Sequence, residues 1–282
     1  MKQPFKENIL VTRLLTGIAY VGIVILSIIW NIYSFLALFS IVTVLCLREF
    51  YGLLNTHKHL GINAYFHCIG GLVLFVATFL FSSGQFGYRI FFIYLVYVVA
   101  TLILELYAKK TDPIGRLASV FFGQCYIAIP LSLLNFIVFH GIGGETTVYS
   151  RILILSLFIF LWMNDTGAYL IGVTFGKHRL FERISPKKSW EGFFGGLVFA
   201  LLSAWVFALL RPEIPMYHWM GLSLVVVIFG TWGDLVESMI KRALDVKDSG
   251  HSLPGHGGFL DRFDSLLLAA YAMLFYVQLI QN

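Results

Sequence analysis

Charge is scarce in this chain. Asp, Glu, Lys and Arg make up 12% of its 282 residues, against about 25% in an ordinary soluble domain. Apolar residues reach 59%, above the usual figure of roughly 45–50%. That balance excludes a disordered chain and argues strongly against a soluble globular enzyme. Cysteine is also scarce. Cys46, Cys68 and Cys125 are irregularly spaced inside apolar runs. No Cys-x-x-Cys pair is present, so neither a zinc site nor a disulfide framework is implied, and the three read as buried free thiols. Long polar segments are missing too. The longest, 176–189 and 241–262, are well short of the roughly 40 residues below which a domain rarely folds unaided. Any chemistry must therefore sit on the membrane-embedded part itself. Internal repeats and low-complexity stretches are absent.

What is abundant is aromatic and aliphatic sequence, with 27 Phe, 14 Tyr and 6 Trp. A membrane-spanning helix needs about 20 mostly apolar residues. Nine such runs occur, at 14–30, 32–54, 64–81, 90–107, 117–139, 152–175, 192–210, 219–240 and 263–280. They are continuous rather than alternating, which favours helices over a β-barrel. The first is too long for a signal-peptide core and lacks a small-residue cleavage site, so it reads as a retained span. Almost nothing separates it from the second, which predicts a tight hairpin at Asn31.

Basic residues orient the spans. Of the 20 Lys and Arg, 16 fall in loops on the amino-terminal side. Only Arg89, Arg151 and Arg211 fall on the other, and Arg48 lies within a span. The positive-inside rule puts the amino terminus and the loops at 176–189 and 241–262 in the cytoplasm. The expectation is an all-α polytopic protein of the cytoplasmic (inner) membrane with about nine transmembrane helices. Residues 1–150 carry about five spans, and residues 151–282 carry about four together with the chemistry. No soluble domain is expected.

Ten of the 15 acidic residues lie from Asp165 onward. In the first half, Glu49 beside Arg48 reads as a local ion pair near a helix end. In the second half, Asp165, Asp234 and Glu237 lie within apolar spans, where a charge costs about 2.5–3.5 kcal/mol at the bilayer centre. Such residues usually face the bundle interior and mark a site. Asp234, Glu237, Ser238 and Lys241 are spaced i, i+3, i+4 and i+7, which makes one helical stripe. Gly172 and Gly176 read as a close-packing pair. The run Gly172 to Lys177 is too short between its glycines for a P-loop. In the next loop, Ser189 is placed to cap a helix with Glu191 in its first turn. Lys187 and Lys188 beside that helix start suit an anion.

The segment 238–264 is unlike an ordinary membrane connection. Lys241, Arg242, Lys247 and Arg262 alternate with Asp245, Asp248, Asp261 and Asp264, and His251 and His256 lie among four glycines. The cations suit phosphates. Gly255, Gly257 and Gly258 permit backbone N–H groups to approach an anion. Carboxylates beside cations suit a hard metal such as Mg2+ that is held partly through substrate phosphates. The pattern reads as metal-assisted phosphate chemistry at a membrane surface.

This segment resembles the signature of phosphatidate cytidylyltransferases, the CDP-diacylglycerol synthases. Its elements are a Ser, an apolar residue and Lys-Arg (Ser238 to Arg242), then Lys247-Asp248, Pro254-x-His256-Gly257-Gly258 and Asp261-Arg262-x-Asp264. The likeness extends upstream to Asp165-Thr166-Gly167-Ala168-Tyr169, Gly176-Lys177, residues 185–192 and Gly233-Asp234. It covers the second half of the chain. Spans one to five are similar only in being hydrophobic.

The resemblance implies that CTP and phosphatidate give CDP-diacylglycerol and pyrophosphate, by attack of the lipid phosphate on the CTP α-phosphorus. It implies a divalent cation, Mg2+, on Asp234 and Asp261, with a second cation as an option. Lys241, Arg242, Lys247, Asp248, His256, Arg262 and Asp264 become the catalytic set. Asp165, Lys177, Lys187, Lys188, Ser189, Glu237, Ser238, Gly257 and Gly258 become substrate-binding residues. A homodimer is implied, and no nucleic-acid partner. A CTP-dependent polyprenol or phytol kinase and an ether-lipid cytidylyltransferase are the nearest alternatives. An ion-coupled transporter using Asp165, Asp234 and Glu237 is a remote one, because transport has no need of the His-Gly-Gly loop.

Overall fold

The computed structural model describes residues 4–139, 150–250, 252 and 257–281, with side chains described from Leu15 onward. Ten helices are named here: α1 (Pro4–Trp30), α2 (Ile32–Lys58), α3 (Ala64–Ser82), α4 (Phe91–Tyr107), α5 (Pro113–Gly123), α6 (Ile129–Phe139), α7 (Arg151–Phe175), α8 (Trp190–Leu210), α9 (Met216–Ala243) and α10 (Leu260–Gln281). Each of the nine apolar runs is helical, with α5 and α6 continuous through Gln124–Ala128. Eight helices among the described residues are long and apolar enough to cross a membrane, and the described part of α1, Leu15–Trp30, is a shorter apolar helix. The protein is an all-α integral membrane protein. One feature departs from the helical expectation. The loop after α7 holds a small antiparallel hairpin, β1 (Arg179–Phe181) and β2 (Ser185–Ser189).

The residues fall into two compact units. One comprises 1–81, 86–129 and 244–263, and the other comprises 82–85, 130–243 and 264–282.

In the first unit, α1 and α2 meet in the expected hairpin. Asn31 caps α2 by accepting from Tyr33 N and Ser34 N, each at 2.8 Å, while Ser34 Oγ accepts from Asn31 N at 3.1 Å. Such a reciprocal cap satisfies N–H groups that a helix start leaves unpaired. The core is aromatic, with Phe35, Phe39, Phe50, Tyr51, Phe75 and Phe79 buried. Tyr51 OH donates to Val120 O at 2.8 Å, since a buried hydroxyl needs a partner. The Gln124–Ala128 stretch is π-helical. Pro130 follows, lacks an N–H and would press its ring on the preceding turn, which a widened turn relieves. Arg116 and Glu105 form a buried ion pair at 3.0 Å. Cys46 and Cys68 are buried as expected, but Cys125 is exposed. Apolar side chains along α4, among them Ile93, Val96, Val99 and Leu106, are also exposed. In a bilayer such groups meet hydrocarbon rather than water, so their exposure carries no hydrophobic cost.

In the second unit, α7 and α8 pack along small residues. A Cβ at Gly167 would lie 2.7 Å from the Gly195 carbonyl oxygen, and one at Gly172 would lie 3.6 Å from Gly192 Cα. Backbone approach of this kind is how membrane helices gain dispersion contact. Trp219, Leu222, Val226, Phe160 and Leu267 fill the rest of the interior.

Candidate active site

The second unit contains a cavity of about 320 Å³, a size typical of small-ligand sites. Its polar lining comes from separate segments: Asn164 and Asp165 on α7, Lys187, Lys188 and Ser189 at the end of β2, Thr231 and Asp234 on α9, and Ser265 on α10. Ser189 caps α8 as expected, its Oγ accepting from Gly192 N at 3.1 Å. The α8 N-terminus, with its partial positive charge, therefore opens beside the two lysines. Lys188 and Asp234 form an ion pair, each about two-thirds or more buried. Asp264 lies within electrostatic range of Asp234, Asp165 and Lys188. The Asp234 carboxylate thus faces the Lys188 ammonium, and its hard oxygen donors, with those of Asp165 in the same lining, suit a cation.

The expected stripe on α9 forms. Ser238 Oγ donates to Asp234 Oδ1 at 3.2 Å. Lys241 pairs with Glu237, whose side chain is only 1% exposed. Lys241 and Glu237 are therefore each other's partners here, away from the cavity lining. Lys177 is also outside the lining and is exposed at the end of α7. Its N–H, with that of His178, donates to the Glu191 carboxylate at 3.1–3.2 Å. Glu191 thus ties the hairpin's entry to the first turn of α8. Arg242 is exposed at the end of α9.

The first unit holds the rest of the signature. Lys247, Asp248 and Arg262 are exposed. His256 lies outside the described residues. Asp261 Oδ2 accepts from Gly258 N at 2.8 Å, Ser249 N at 2.9 Å and Ser249 Oγ at 3.0 Å. The Gly258 N–H, expected to face an anion, is thus turned inward to Asp261. A Cβ at Gly258 would lie 2.2 Å from Ser249 Oγ and 2.4 Å from Glu49 Oε2. Close approach is therefore what requires glycine there. Gly257 has φ of +79°, a conformation glycine adopts readily.

Glu49 overturns one expectation. Its carboxylate faces Ser249, Ser252 and Leu260 instead of pairing with Arg48. It accepts from Ser249 Oγ at 3.2 Å, Ser252 Oγ at 2.5 Å and Leu260 N at 3.0 Å. No spacing rule connects residue 49 with residues 249–260. Its only sequence signal was an acidic group inside an apolar helix. Asn164, Thr231 and Ser265 were missed as cavity residues for a similar reason, since neutral polar residues in a span have no charge to betray them. Among the described residues, no three His, Cys, Asp or Glu side chains converge closely enough to hold a metal by themselves.

The fold and site together define an integral membrane protein with an acidic and basic cavity built on its helices. A sequence model of the cytidylyltransferase family matches residues 11–280, and the chain belongs to that family. Over 171 residues it is 40% identical to the phosphatidate cytidylyltransferase of Bacillus subtilis (strain 168), covering 60% of each protein. Over 145 residues it is 43% identical to the phosphatidate cytidylyltransferase of Staphylococcus aureus (strain COL), covering 51% of this chain and 54% of that one. The match to the Staphylococcus epidermidis (strain ATCC 35984) protein has the same identity and extent. The chain therefore spans about half to three-fifths of the length of these relatives.

Proposed function

We propose that this protein is a phosphatidate cytidylyltransferase that converts CTP and phosphatidate to CDP-diacylglycerol and pyrophosphate. The carrying observation is that Asp165, Lys187, Lys188, Ser189 and Asp234, remote in sequence, line one cavity in a chain of the cytidylyltransferase family. A phosphate oxygen of the lipid attacks the CTP α-phosphorus. The new P–O bond forms as the bond to the bridging oxygen of the β-phosphate breaks, and pyrophosphate departs with that electron pair. No covalent enzyme intermediate is needed.

Two anions must meet, so positioning and charge neutralisation carry the catalysis. Lys187, Lys188 and the capped start of α8 hold phosphate oxygens in the cavity. Asp234 keeps Lys188 oriented until substrate charge competes for it. Lys241, Arg242, Lys247 and Arg262 supply further positive charge along the signature, with Asp248, His256 and Asp264 orienting ligands. For a divalent cation, Mg2+, the hard oxygen donors are Asp234, which lines the second unit's cavity, and Asp261, which belongs to the first unit; either would hold it together with substrate phosphates. Mg2+ commonly takes one or two carboxylates and completes its shell with phosphate oxygens and water, so a three-residue protein cluster is not required. When bound, it neutralises phosphate charge and makes the α-phosphorus more electrophilic.

The excess of basic residues in one set of loops supports a site facing the cytoplasm, where CTP is, in the inner membrane. A homodimer belongs to the same reading. The test is pyrophosphate release by purified protein in mixed micelles with phosphatidate, CTP and Mg2+. Release is expected with that combination, and little with ATP or with polyprenol as acceptor. Release that prefers polyprenol or ATP would overturn the assignment.

A further inference from the structure

Two carboxylates hold Ser249, Ser252, Gly258 and Leu260. Asp261 takes the Gly258 and Ser249 N–H groups. Glu49 takes Leu260 N–H and the Ser252 hydroxyl. Both lie within reach of Ser249 Oγ, at 3.0 and 3.2 Å. A hydroxyl has one proton to donate, so the positions of the two acids are coupled through it. Leu260 N–H opens α10 and is one of the donors a helix start leaves unpaired. A carboxylate there also gains from the helix dipole. Glu49 is thus an N-terminal cap for α10 delivered from α2. Its platform is rigid, because neighbouring Leu47, Phe50 and Tyr51 are fully or almost fully buried.

We propose that Glu49 is a positioning residue: it anchors Ser249, Ser252 and the first turn of α10, and so fixes where Asp261 stands. The effect on turnover rests on the proposed cytidylyltransferase reaction, but the anchoring itself does not. Glu49 lies in the half of the chain that the signature does not reach, and it acts through hydrogen bonds to the segment rather than on substrate. Removing it frees Leu260 N–H and Ser252 Oγ together and leaves Ser249 Oγ to Asp261 alone. The turn bearing Asp261 then samples other positions.

The experiment separates the two parts. Trypsin is applied briefly to the full-length protein in nanodiscs, and cleavage after Lys247 is compared with cleavage after Arg183. Both residues are exposed, and Arg183 lies between β1 and β2, so it reports general unfolding. Losing even one hydrogen bond to a charged group costs enough that Glu49→Ala should raise the Lys247-to-Arg183 ratio about tenfold or more. Ser252→Ala removes one bond to the same carboxylate from an exposed side chain while Leu260 N and Ser249 Oγ keep theirs, and should raise the ratio by less than Glu49→Ala does. Glu49→Gln keeps a carbonyl acceptor for Leu260 N and Ser249 Oγ and leaves Ser252 able to accept from the amide. It should hold the ratio within about threefold of the parent.

In pyrophosphate release, Glu49→Ala should lower kcat and raise the Mg2+ concentration needed for half-activation, with KM for CTP little changed. Glu49→Gln should recover part of that loss. An unchanged cleavage ratio in Glu49→Ala overturns the anchor. A raised ratio with unchanged kcat and Mg2+ requirement overturns the positioning role. Absence of turnover in the parent protein overturns the proposed reaction, while the cleavage ratios still decide the anchor.

Discussion

Gly258→Ala tests the crowding around the signature loop. A Cβ there would stand 2.2 Å from Ser249 Oγ and 2.4 Å from Glu49 Oε2. Neither distance is tolerable, so both groups must retreat by about an ångström. Ser249 can rotate, at the loss of its bonds to Glu49 and Asp261. Glu49 cannot retreat without lengthening its bond to Leu260 N. Inserting a methyl into a packed site costs about 1–3 kcal/mol. At about 1.4 kcal/mol per decade, that corresponds to roughly a 5- to 140-fold loss in kcat/KM if the displaced loop is inactive. The assay is pyrophosphate release, run as a cycle with Glu49→Ala. Truncating Glu49 removes one of the two clashes, so the losses should not add. The double variant should be no worse than the poorer single one. Independent effects would instead add within about 0.3–0.5 kcal/mol. Additivity, or a Gly258→Ala protein with parental activity, would refute the crowding argument.

Three further outcomes are expected. Asp234→Asn and Asp261→Asn should each lower kcat severely at limiting Mg2+ while the protein still inserts. Lys247→Gln should mainly raise the KM for CTP, by roughly 10- to 150-fold for one charge-assisted contact, because it removes binding common to ground and transition states. Matched losses in Lys247→Gln and Asp261→Asn with KM unchanged would reveal a structural ion-pair network instead. Single cysteines at positions 187 and 250, in a background lacking Cys125, should resist membrane-impermeant reagent in intact cells, and one at 145 should react; the reverse pattern would put the site on the wrong side for CTP. Asn31→Ala should cost about 1 kcal/mol through loss of the α2 cap, read as a lower midpoint in detergent thermal unfolding. An unchanged midpoint would mean that the α1–α2 hairpin is held by packing alone.

Much of the fold was legible because a bilayer leaves the chain few options. Backbone groups in hydrocarbon must pair within their own helix, so each apolar run of spanning length became a helix. Local chemistry was legible as well: Asn31 and Ser189 cap the helices they precede, and Asp234, Glu237, Ser238 and Lys241 share the face that their spacing requires. The hairpin at 179–189 was not legible, because its strands are only three and five residues long and carry no alternating hydrophobic pattern. The widened turn before Pro130 was not legible, since 117–139 reads as one unbroken apolar run.

Read alone, the chain specifies a helical membrane protein whose second half carries a motif resembling the cytidylyltransferase signature, because length, hydropathy and residue type act locally. Packing settled what several of the signature's groups face. Asp261 turns to Ser249 N, Lys188 goes to Asp234, and Glu49 reaches across two hundred positions to cap α10. Those choices depend on which carboxylate arrives beside which donor when helices pack. A hydrogen bond has no memory of sequence separation, so no spacing pattern encodes them.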